Sequence, residues 1–343
     1  MATPDIVIHP SVTMRKYCEG DDAPPYSWTA ECAREKLQRL LPDTRICLGS
    51  QEEFESGRFG DTRVLLAGRV NPQLLRSMPK LEWLQFTGSG ADHFFKASGM
   101  WAQDFQRIGV RVLNSPGISR YPVAEHVMAM MLALTRGVPR AVRQQVRREW
   151  TIFPVDEMRG KTVGILGMGE IGERVAALSR AFGMEVVGCK RNPALHEGNA
   201  HRLVGSDQMI QVIAESDYLV VILPLSEATR GLFDYDMFRR MKGTSYFINV
   251  SRGENVVEGD LVRALKEGII AGAAVDTFGP LALDQPKLQE ALRPDSELWD
   301  LPNMLVMPNN AASTERYMDY FAEAVAENYR RWRAGKPFKS ISA

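Results

Sequence analysis

Residues 162–172 read TVGILGMGEIG, a short apolar run that ends in three glycines with the spacing G-x-G-x-x-G. The run is typical of a buried strand, and the spacing is typical of the strand–turn–helix unit that binds dinucleotides. The second glycine lets the backbone approach a pyrophosphate, and a helix predicted over 170–182 would direct its positive N-terminal end at that group. The segment therefore predicts a cofactor site at Gly167, Met168, Gly169, Glu170, Ile171 and Gly172.

The composition is that of an ordinary globular protein. The 343 residues are 45% hydrophobic and 24% charged, enough for two domains with separate cores. Because 42 basic and 42 acidic residues cancel, no overall charge favours nucleic acid or an anionic membrane as a partner. The first residues have no basic flank and no long apolar run, so no secretion signal is expected. No apolar run reaches the roughly 18 residues of a membrane span, and the four cysteines show no metal spacing. We therefore expect a cytoplasmic α/β protein without a metal site.

Short apolar runs alternate with amphipathic helical stretches along the whole chain, a pattern typical of parallel sheets covered by helices. Five strands are predicted before residue 114, and one long helix is predicted over 122–144. A last helix, predicted over 314–332, would return to the first domain. We predict two doubly wound parallel-sheet domains, with a Rossmann dinucleotide-binding domain at 115–309 inserted into a flavodoxin-like domain formed by 1–114 and 310–343.

The residues after the second strand of the Rossmann region indicate which dinucleotide is bound. In this fold an Asp or Glu about 20 residues beyond the first glycine accepts a hydrogen bond from the adenosine 2′-hydroxyl and selects NAD. Here the strand ends in Lys190, Arg191 and Asn192, with no carboxylate. Two cations and an amide suit a 2′-phosphate, for which Arg offers a bidentate donor. A solvated basic turn is the alternative, but the position favours NADP(H) over NAD(H).

Several further segments, in this order and spacing, resemble the D-isomer-specific 2-hydroxyacid dehydrogenases over nearly the whole chain. The segments are 87–92 (TGSGAD), 123–126 (VAEH), 160–172 (GKTVGILGMGEIG), 223–225 (LPL), 249–253 (NVSRG), 272–276 (GAAVD) and 298–303 (LWDLPN). The resemblance makes the first domain the substrate domain, and it implies a homodimer formed through the cofactor domain. It also adds cofactor-binding residues, namely Leu223, Pro224, Thr229, Val250, Ser251 and Asp276.

Arg252 is the strongest candidate for contact with the substrate. It follows an apolar predicted strand at the carboxyl end of a parallel sheet, where ligands collect. A guanidinium there can hold a carboxylate and polarise an adjacent carbonyl, and the resemblance assigns Arg252 the same catalytic and substrate-binding role. Ser89 and Gly90 lie in a glycine-rich turn whose N–H groups could hold the other end of the carboxylate; an ordinary tight turn is the alternative.

The chain departs from the family at the proton donor. The family has a His in a Pro-His-x-Ala motif, supported by a Glu, whereas this chain has Pro308-Asn309-Asn310-Ala311. An amide can donate a hydrogen bond to an oxyanion but cannot deliver a proton near neutral pH. The Glu is ambiguous, because counting forward from Asp276 places it at Leu281, while counting back from Leu298 places it at Glu290, with an insertion that is predicted to form a short helix over 282–292.

Two functions remain open from the sequence. The leading hypothesis is an NADP(H)-dependent oxidoreductase that interconverts a small 2-oxo acid and its D-2-hydroxy acid, similar to the branch that reduces glyoxylate or hydroxypyruvate. Arg252 would bind the carboxylate, Asn309 would hold the carbonyl oxygen, and Glu290 is the candidate for the family's Glu. The alternative is a catalytically impaired relative that binds NADP(H) as a sensor or interaction protein.

Overall fold

The computed structural model describes residues 3–12, 28–115, 117–193, 198–279 and 292–339. The chain divides into two compact units, one formed by Met1–Ser119 with Ser313–Ala343 and the other by Arg120–Ala312. The sequence places the two junctions at 114/115 and 309/310. No helix in the described ranges has both the length and the apolar composition that crossing a membrane requires.

The first unit contains a five-stranded sheet in which every pairing is parallel. Its strands are β1 (Ile6–Ile8), β2 (Ile46–Leu48), β3 (Val64–Leu66), β4 (Trp83–Gln85) and β5 (Arg111–Leu113). The spatial order β2-β1-β3-β4-β5 is that of the flavodoxin-like fold. The helices between these strands are α1 (Ala30–Leu40), α2 (Gln51–Glu55), α3 (Pro72–Arg76), α4 (Asp92–Ser98) and α5 (Ala102–Arg107).

The central strands of this sheet are apolar on both faces because helices cover both faces. Ile6 and Ile8 pack with Leu37 of α1 and with Phe321, which belongs to the C-terminal helix (Tyr317–Arg333). Val7 points to the opposite side, into a cluster rich in phenylalanine. The C-terminal helix thus completes one face of the first sheet.

The second unit contains a seven-stranded sheet, also parallel in every pairing. Its strands are β6 (Thr162–Leu166), β7 (Glu185–Cys189), β8 (Arg202–Val204), β9 (Tyr218–Val221), β10 (Tyr246–Asn249), β11 (Gly272–Val275) and β12 (Met304–Val306). Its helices are α6 (Arg120–Thr135), α7 (Val138–Arg147), α8 (Glu170–Ala181), α9 (Met209–Glu215), α10 (Tyr235–Phe238) and α11 (Glu258–Lys266). The C-terminal helix of the first unit is α12.

The strand order β12-β11-β10-β9-β6-β7-β8 is the Rossmann order with one further strand at the β12 edge. The chain reverses direction across the sheet between β6 and β9, and in such sheets ligands bind at the carboxyl ends of the strands beside this reversal. The predicted fold class, two parallel-sheet α/β domains, is therefore confirmed.

The prediction of one long helix over 122–144 is wrong, because the structure has two helices there. α6 ends at Thr135 and α7 begins at Val138, with Gly137 between them at a φ of 65°. Glycine adopts this left-handed conformation without a Cβ clash, and Pro139 near the start of α7 cannot continue the preceding hydrogen-bond pattern. The apolar residues on both sides of the break share a helical period, so periodicity alone did not reveal it. The helix predicted over 282–292 falls, except for Leu292, outside the described residues.

Candidate cofactor and substrate site

The glycine turn between β6 and α8 is shaped by two close contacts and one open position. A Cβ on Gly167 would lie 2.4 Å from the Ile222 carbonyl oxygen, and a Cβ on Gly172 would lie 2.2 Å from the Gly167 oxygen. Gly167 also has a φ of 111°, which favours glycine. A Cβ on Gly169, in contrast, would meet no atom within 4 Å. No side chain caps α8, so the N–H groups of its first turn face this open space, and the turn fits a pyrophosphate.

The other predicted residues of the turn contribute in different ways. The Met168 side chain is buried against Gly188, where a Cβ would approach Met168 Cγ to 2.6 Å, so only the backbone of Met168 remains at the turn. Ile171 packs partly against the same core. The Glu170 side chain is 39% exposed, and its Oε2 lies 3.4 Å from Arg120 Nη1. An acidic side chain therefore stands at the start of α8.

The end of β7 lies beside the glycine turn. The Gly167 N–H donates to the Cys189 carbonyl oxygen at 3.1 Å, and the Lys190 N–H donates to the Val204 oxygen at 3.0 Å. Burial raises the pKa of the Cys189 thiol, which points inward. The next three side chains, Lys190, Arg191 and Asn192, are all exposed. This edge of the site thus presents cations and an amide to solvent.

Arg252 is held by a buried network of amide and hydroxyl groups after β10. The Ser251 N–H and Oγ–H both donate to Asn249 Oδ1, at 3.1 and 2.6 Å, and Asn249 Nδ2 donates to the Arg252 carbonyl oxygen at 3.2 Å. Asn255 Nδ2 donates to Ser251 Oγ at 3.0 Å and to the Leu223 oxygen at 3.3 Å. The network joins the loop that carries Arg252 to the loop after β9. The positioning roles of Asn249 and Asn255 were not predicted from the sequence. The pattern that could indicate them is the pair of amides on either side of the arginine in the segment NVSRGEN.

Gly253 lets this loop pack directly on the loop after β11. A Cβ at this position would lie 1.8 Å from the Phe278 carbonyl carbon and 2.2 Å from the Gly279 nitrogen. Both neighbours are backbone atoms, which cannot move aside as a flexible side chain can. The half-buried Arg252 guanidinium, whose Nη1 donates to the Ser251 oxygen at 2.8 Å, is therefore positioned by a contact that only glycine permits.

Asp276 ties the loop that contains Asn309 to the sheet. Its buried carboxylate accepts hydrogen bonds from the N–H groups of Asn310 and Ala311, at 3.2 and 3.3 Å. Asn309 has a φ of 54°, a left-handed conformation that Asn adopts more readily than most residues. His126 Nε2 of α6 lies 3.2 Å from Asp276 Oδ1, without the alignment of a hydrogen bond. Asp276, predicted as a cofactor residue, thus shapes the loop of Asn309 in this structure.

The loop after β9 forms a compact turn closed by Thr229. Thr229 Oγ1 donates to the Pro224 oxygen at 2.7 Å and accepts from the Ser226 N–H at 2.8 Å. Val250, directly after β10, is partly buried against the core. The predicted cofactor residues of β9 and β10 therefore lie on neighbouring loops at the same edge of the sheet.

Ser89 and Gly90 belong to the first unit, in the turn after β4. Asn114 Nδ2 donates to the Ser89 oxygen at 2.7 Å, and Ser89 Oγ lies 3.2 Å from Ser119 Oγ. The Tyr317 hydroxyl donates to the Thr87 oxygen of this turn. Glu290 lies outside the described residues.

Comparison with known proteins identifies the family. The family model "D-isomer specific 2-hydroxyacid dehydrogenase, NAD binding domain" matches residues 128–311, more than half of the chain. The chain is 32% identical over 283 residues to the glyoxylate reductase of Aeropyrum pernix, which covers 79% of each chain. It is also 32% identical over 291 residues to the D-3-phosphoglycerate dehydrogenase of Bacillus subtilis, covering 84% of this chain but 52% of that protein.

Among solved structures, the fold is similar to that of a D-isomer specific 2-hydroxyacid dehydrogenase family protein from Aeromonas salmonicida. The two are 26% identical, the TM-score is 0.74, and the match covers 99% of each chain. The present chain belongs to the D-isomer specific 2-hydroxyacid dehydrogenase family, a family of NAD(P)-dependent oxidoreductases.

The contact at Gly253 leads to a prediction about stability. Gly253→Ala is expected to lower the free energy of unfolding by about 1–3 kcal/mol, because overpacking against backbone forces the two loops apart. Thermal and urea unfolding followed by circular dichroism would measure the change. Gly259→Ala is the matched control, since a Cβ there meets no atom within 4 Å, and its stability should be unchanged or slightly higher. Equal stability of the two variants would contradict the prediction.

Proposed function

We propose that this member of the 2-hydroxyacid dehydrogenase family is an NADP(H)-dependent reductase that interconverts a small 2-oxo acid and its D-2-hydroxy acid. The observation that carries the proposal is the half-buried Arg252 guanidinium, held by Asn249 and Ser251 in the same unit as the open glycine turn. A fixed guanidinium at the carboxyl end of a parallel strand suits a carboxylate. The glyoxylate reductase of Aeropyrum pernix supports a small 2-oxo acid as substrate.

Each residue of the site has one role in this proposal. Arg252 binds the substrate carboxylate, and Asn309 donates a hydrogen bond from its side-chain amide to the carbonyl oxygen. Asp276 keeps the loop of Asn309 in place through the Asn310 and Ala311 N–H groups. The bound dinucleotide supplies the hydride. Since an amide has no proton to give near neutral pH, the alkoxide takes its proton through water or from a neighbouring side chain.

Substitutions at the two substrate contacts separate their roles. Arg252→Gln should lower kcat/KM for glyoxylate or hydroxypyruvate by about 10²–10³, mainly through KM, because losing one partner of a charge-assisted pair costs roughly 2–5 kcal/mol. Asn309→Ala should instead lower kcat by about 10²–10³, the usual cost of one oxyanion donor. Both effects are measured as NADPH oxidation at 340 nm.

The control for these substitutions is Arg240→Gln, which removes an exposed guanidinium of the same unit and should leave both constants unchanged. If no oxo acid in a broad panel supports NADPH oxidation by the wild-type protein, the proposed activity is wrong. If the wild-type protein is active and Arg252→Gln retains its KM, the assignment of the carboxylate to Arg252 is wrong.

The preference for NADP(H) rests on the exposed residues after β7. Lys190→Gln combined with Arg191→Gln should weaken NADPH binding about 10–100-fold, as expected for losing charge-assisted hydrogen bonds to the 2′-phosphate, and should leave NADH binding within twofold. Isothermal titration calorimetry gives both dissociation constants. Arg180→Gln, an exposed substitution in the last turn of α8, is the control. A parallel loss of NADPH and NADH affinity would count against a 2′-phosphate contact.

The protein is further proposed to form a homodimer through the cofactor unit. α7 presents Val138, Val142 and Val146 at helical spacing, and Val146 is 80% exposed; Trp150 beyond the helix is 94% exposed. Such a row of exposed apolar side chains is typical of an interface. Val146→Lys should shift the sedimentation coefficient from dimer to monomer, whereas Val257→Lys, at a partly exposed valine on another face, should not. A monomeric wild-type protein would refute the dimer.

A further inference from the structure

Glu170 places a negative charge where the cofactor site needs a positive one. It is the first residue of α8, directly after Gly169, whose open side faces the space available to a pyrophosphate. A pyrophosphate is itself an anion, so an uncompensated carboxylate here would repel it. Glu173, the other acidic residue of the first turn, is engaged elsewhere, since its Oε2 accepts from the Asn199 N–H at 2.9 Å. A neutral amide donor does not remove that charge, so the first turn carries two carboxylates, and the one directly after Gly169 is Glu170.

Arg120 supplies the first compensating charge. It begins α6, and its Nη1 lies 3.4 Å from Glu170 Oε2. The two side chains are 40% and 39% exposed, so a solute can reach both of them. The separation is long for an N–H···O bond, and the guanidinium retains donors that this carboxylate does not occupy.

A second guanidinium lies over the same aromatic ring. The Cζ atoms of Arg120 and Arg174 are 4.8 and 5.3 Å from the centroid of the Tyr121 ring. The Nε atoms of both arginines are buried and have no hydrogen-bond partner among the described residues. Arg174 also follows Glu170 by four residues on α8, a spacing that places the two side chains on the same side of the helix. Stacking on the ring thus holds both cations close to the start of α8.

We propose that Arg120 and Arg174 complete the cofactor site by offsetting the Glu170 charge and binding the diphosphate of the dinucleotide. The two guanidiniums balance the charges of Glu170 and Glu173, so no net negative charge remains at the first turn of α8. The open donors of Arg120 add to the N–H groups of α8, and the planar guanidinium matches phosphate geometry. The inference rests on the proposed use of NADP(H), but it concerns the diphosphate, which NADPH and NADH share.

The test compares a ligand with a diphosphate and a ligand without one, using the full-length protein and no turnover. Isothermal titration calorimetry measures the dissociation constants of NADPH and of adenosine 2′-monophosphate. Arg120→Gln and Arg174→Gln should each raise the dissociation constant of NADPH at least tenfold and leave that of adenosine 2′-monophosphate within twofold. Both variants should also show a shallower dependence of NADPH affinity on salt concentration. Arg180→Gln, at the far end of the same helix, should bind both ligands like the wild type.

Glu170→Gln tests the compensation itself. Without the carboxylate, NADPH should bind about threefold more tightly, and adding Glu170→Gln to Arg120→Gln should recover part of the lost affinity. Circular dichroism and the melting temperature show whether each variant is folded, and Arg120→Lys, which keeps the charge, should bind NADPH more tightly than Arg120→Gln.

Three results would overturn the inference. The first is an unchanged NADPH affinity in both arginine variants, and the second is an equal loss of affinity for both ligands. The third is a double variant as weak as Arg120→Gln alone. If the wild-type protein binds NADH rather than NADPH, the proposed cofactor preference fails separately, and the same variants are then judged with NADH and adenosine.

Discussion

The candidate site depends on main-chain hydrogen bonds that continue the parallel sheet one step beyond its strands. The Ile222 N–H donates to the Leu166 oxygen at 2.8 Å, and the Asp276 N–H donates to the Asn249 oxygen at 3.0 Å. Bonds of the same kind join the glycine turn to β7 and the residue after β12 to β11. Each bond aligns the first residue of a loop with the neighbouring strand. The loops at this edge therefore begin at fixed positions relative to one another.

Two buried side chains at the ends of these strands then hold the loops that contain the candidate substrate residues. Asn249 is the last residue of β10. Its side-chain amide fixes the backbone of the following loop by accepting from Ser251 Oγ and donating to the Arg252 carbonyl oxygen. Asp276, one residue beyond β11, does the same for the loop that contains Asn309. Both groups are buried, and a buried polar group that lost its partner would cost free energy. Positioning and stability are therefore supplied by the same hydrogen bonds.

Features that depend on local contacts could be predicted from the sequence, whereas those that depend on long-range contacts could not. The glycine turn was predictable because its spacing depends on contacts within one strand–turn–helix unit, and the structure shows those contacts at Gly167 and Gly172. The break between α6 and α7 could not be predicted from the sequence, since the apolar period continues across Gly137. Nothing in the segment around Gly253 reveals that Phe278, from the next loop along the sheet, lies against it.

The sequence by itself determined the fold class, the location of the glycine turn and the family, because each depends on residue spacing within a short segment. The resemblance to the family also predicts that an amide, Asn309, stands at the position of the usual histidine. Only the tertiary structure decided which groups surround these residues. Arg120 and Tyr121 come some fifty positions before Glu170 in the chain, yet their charges and ring lie together at the start of α8. The physical reason is that α6 and α8 pack against each other, and this packing brings together side chains that no local pattern connects.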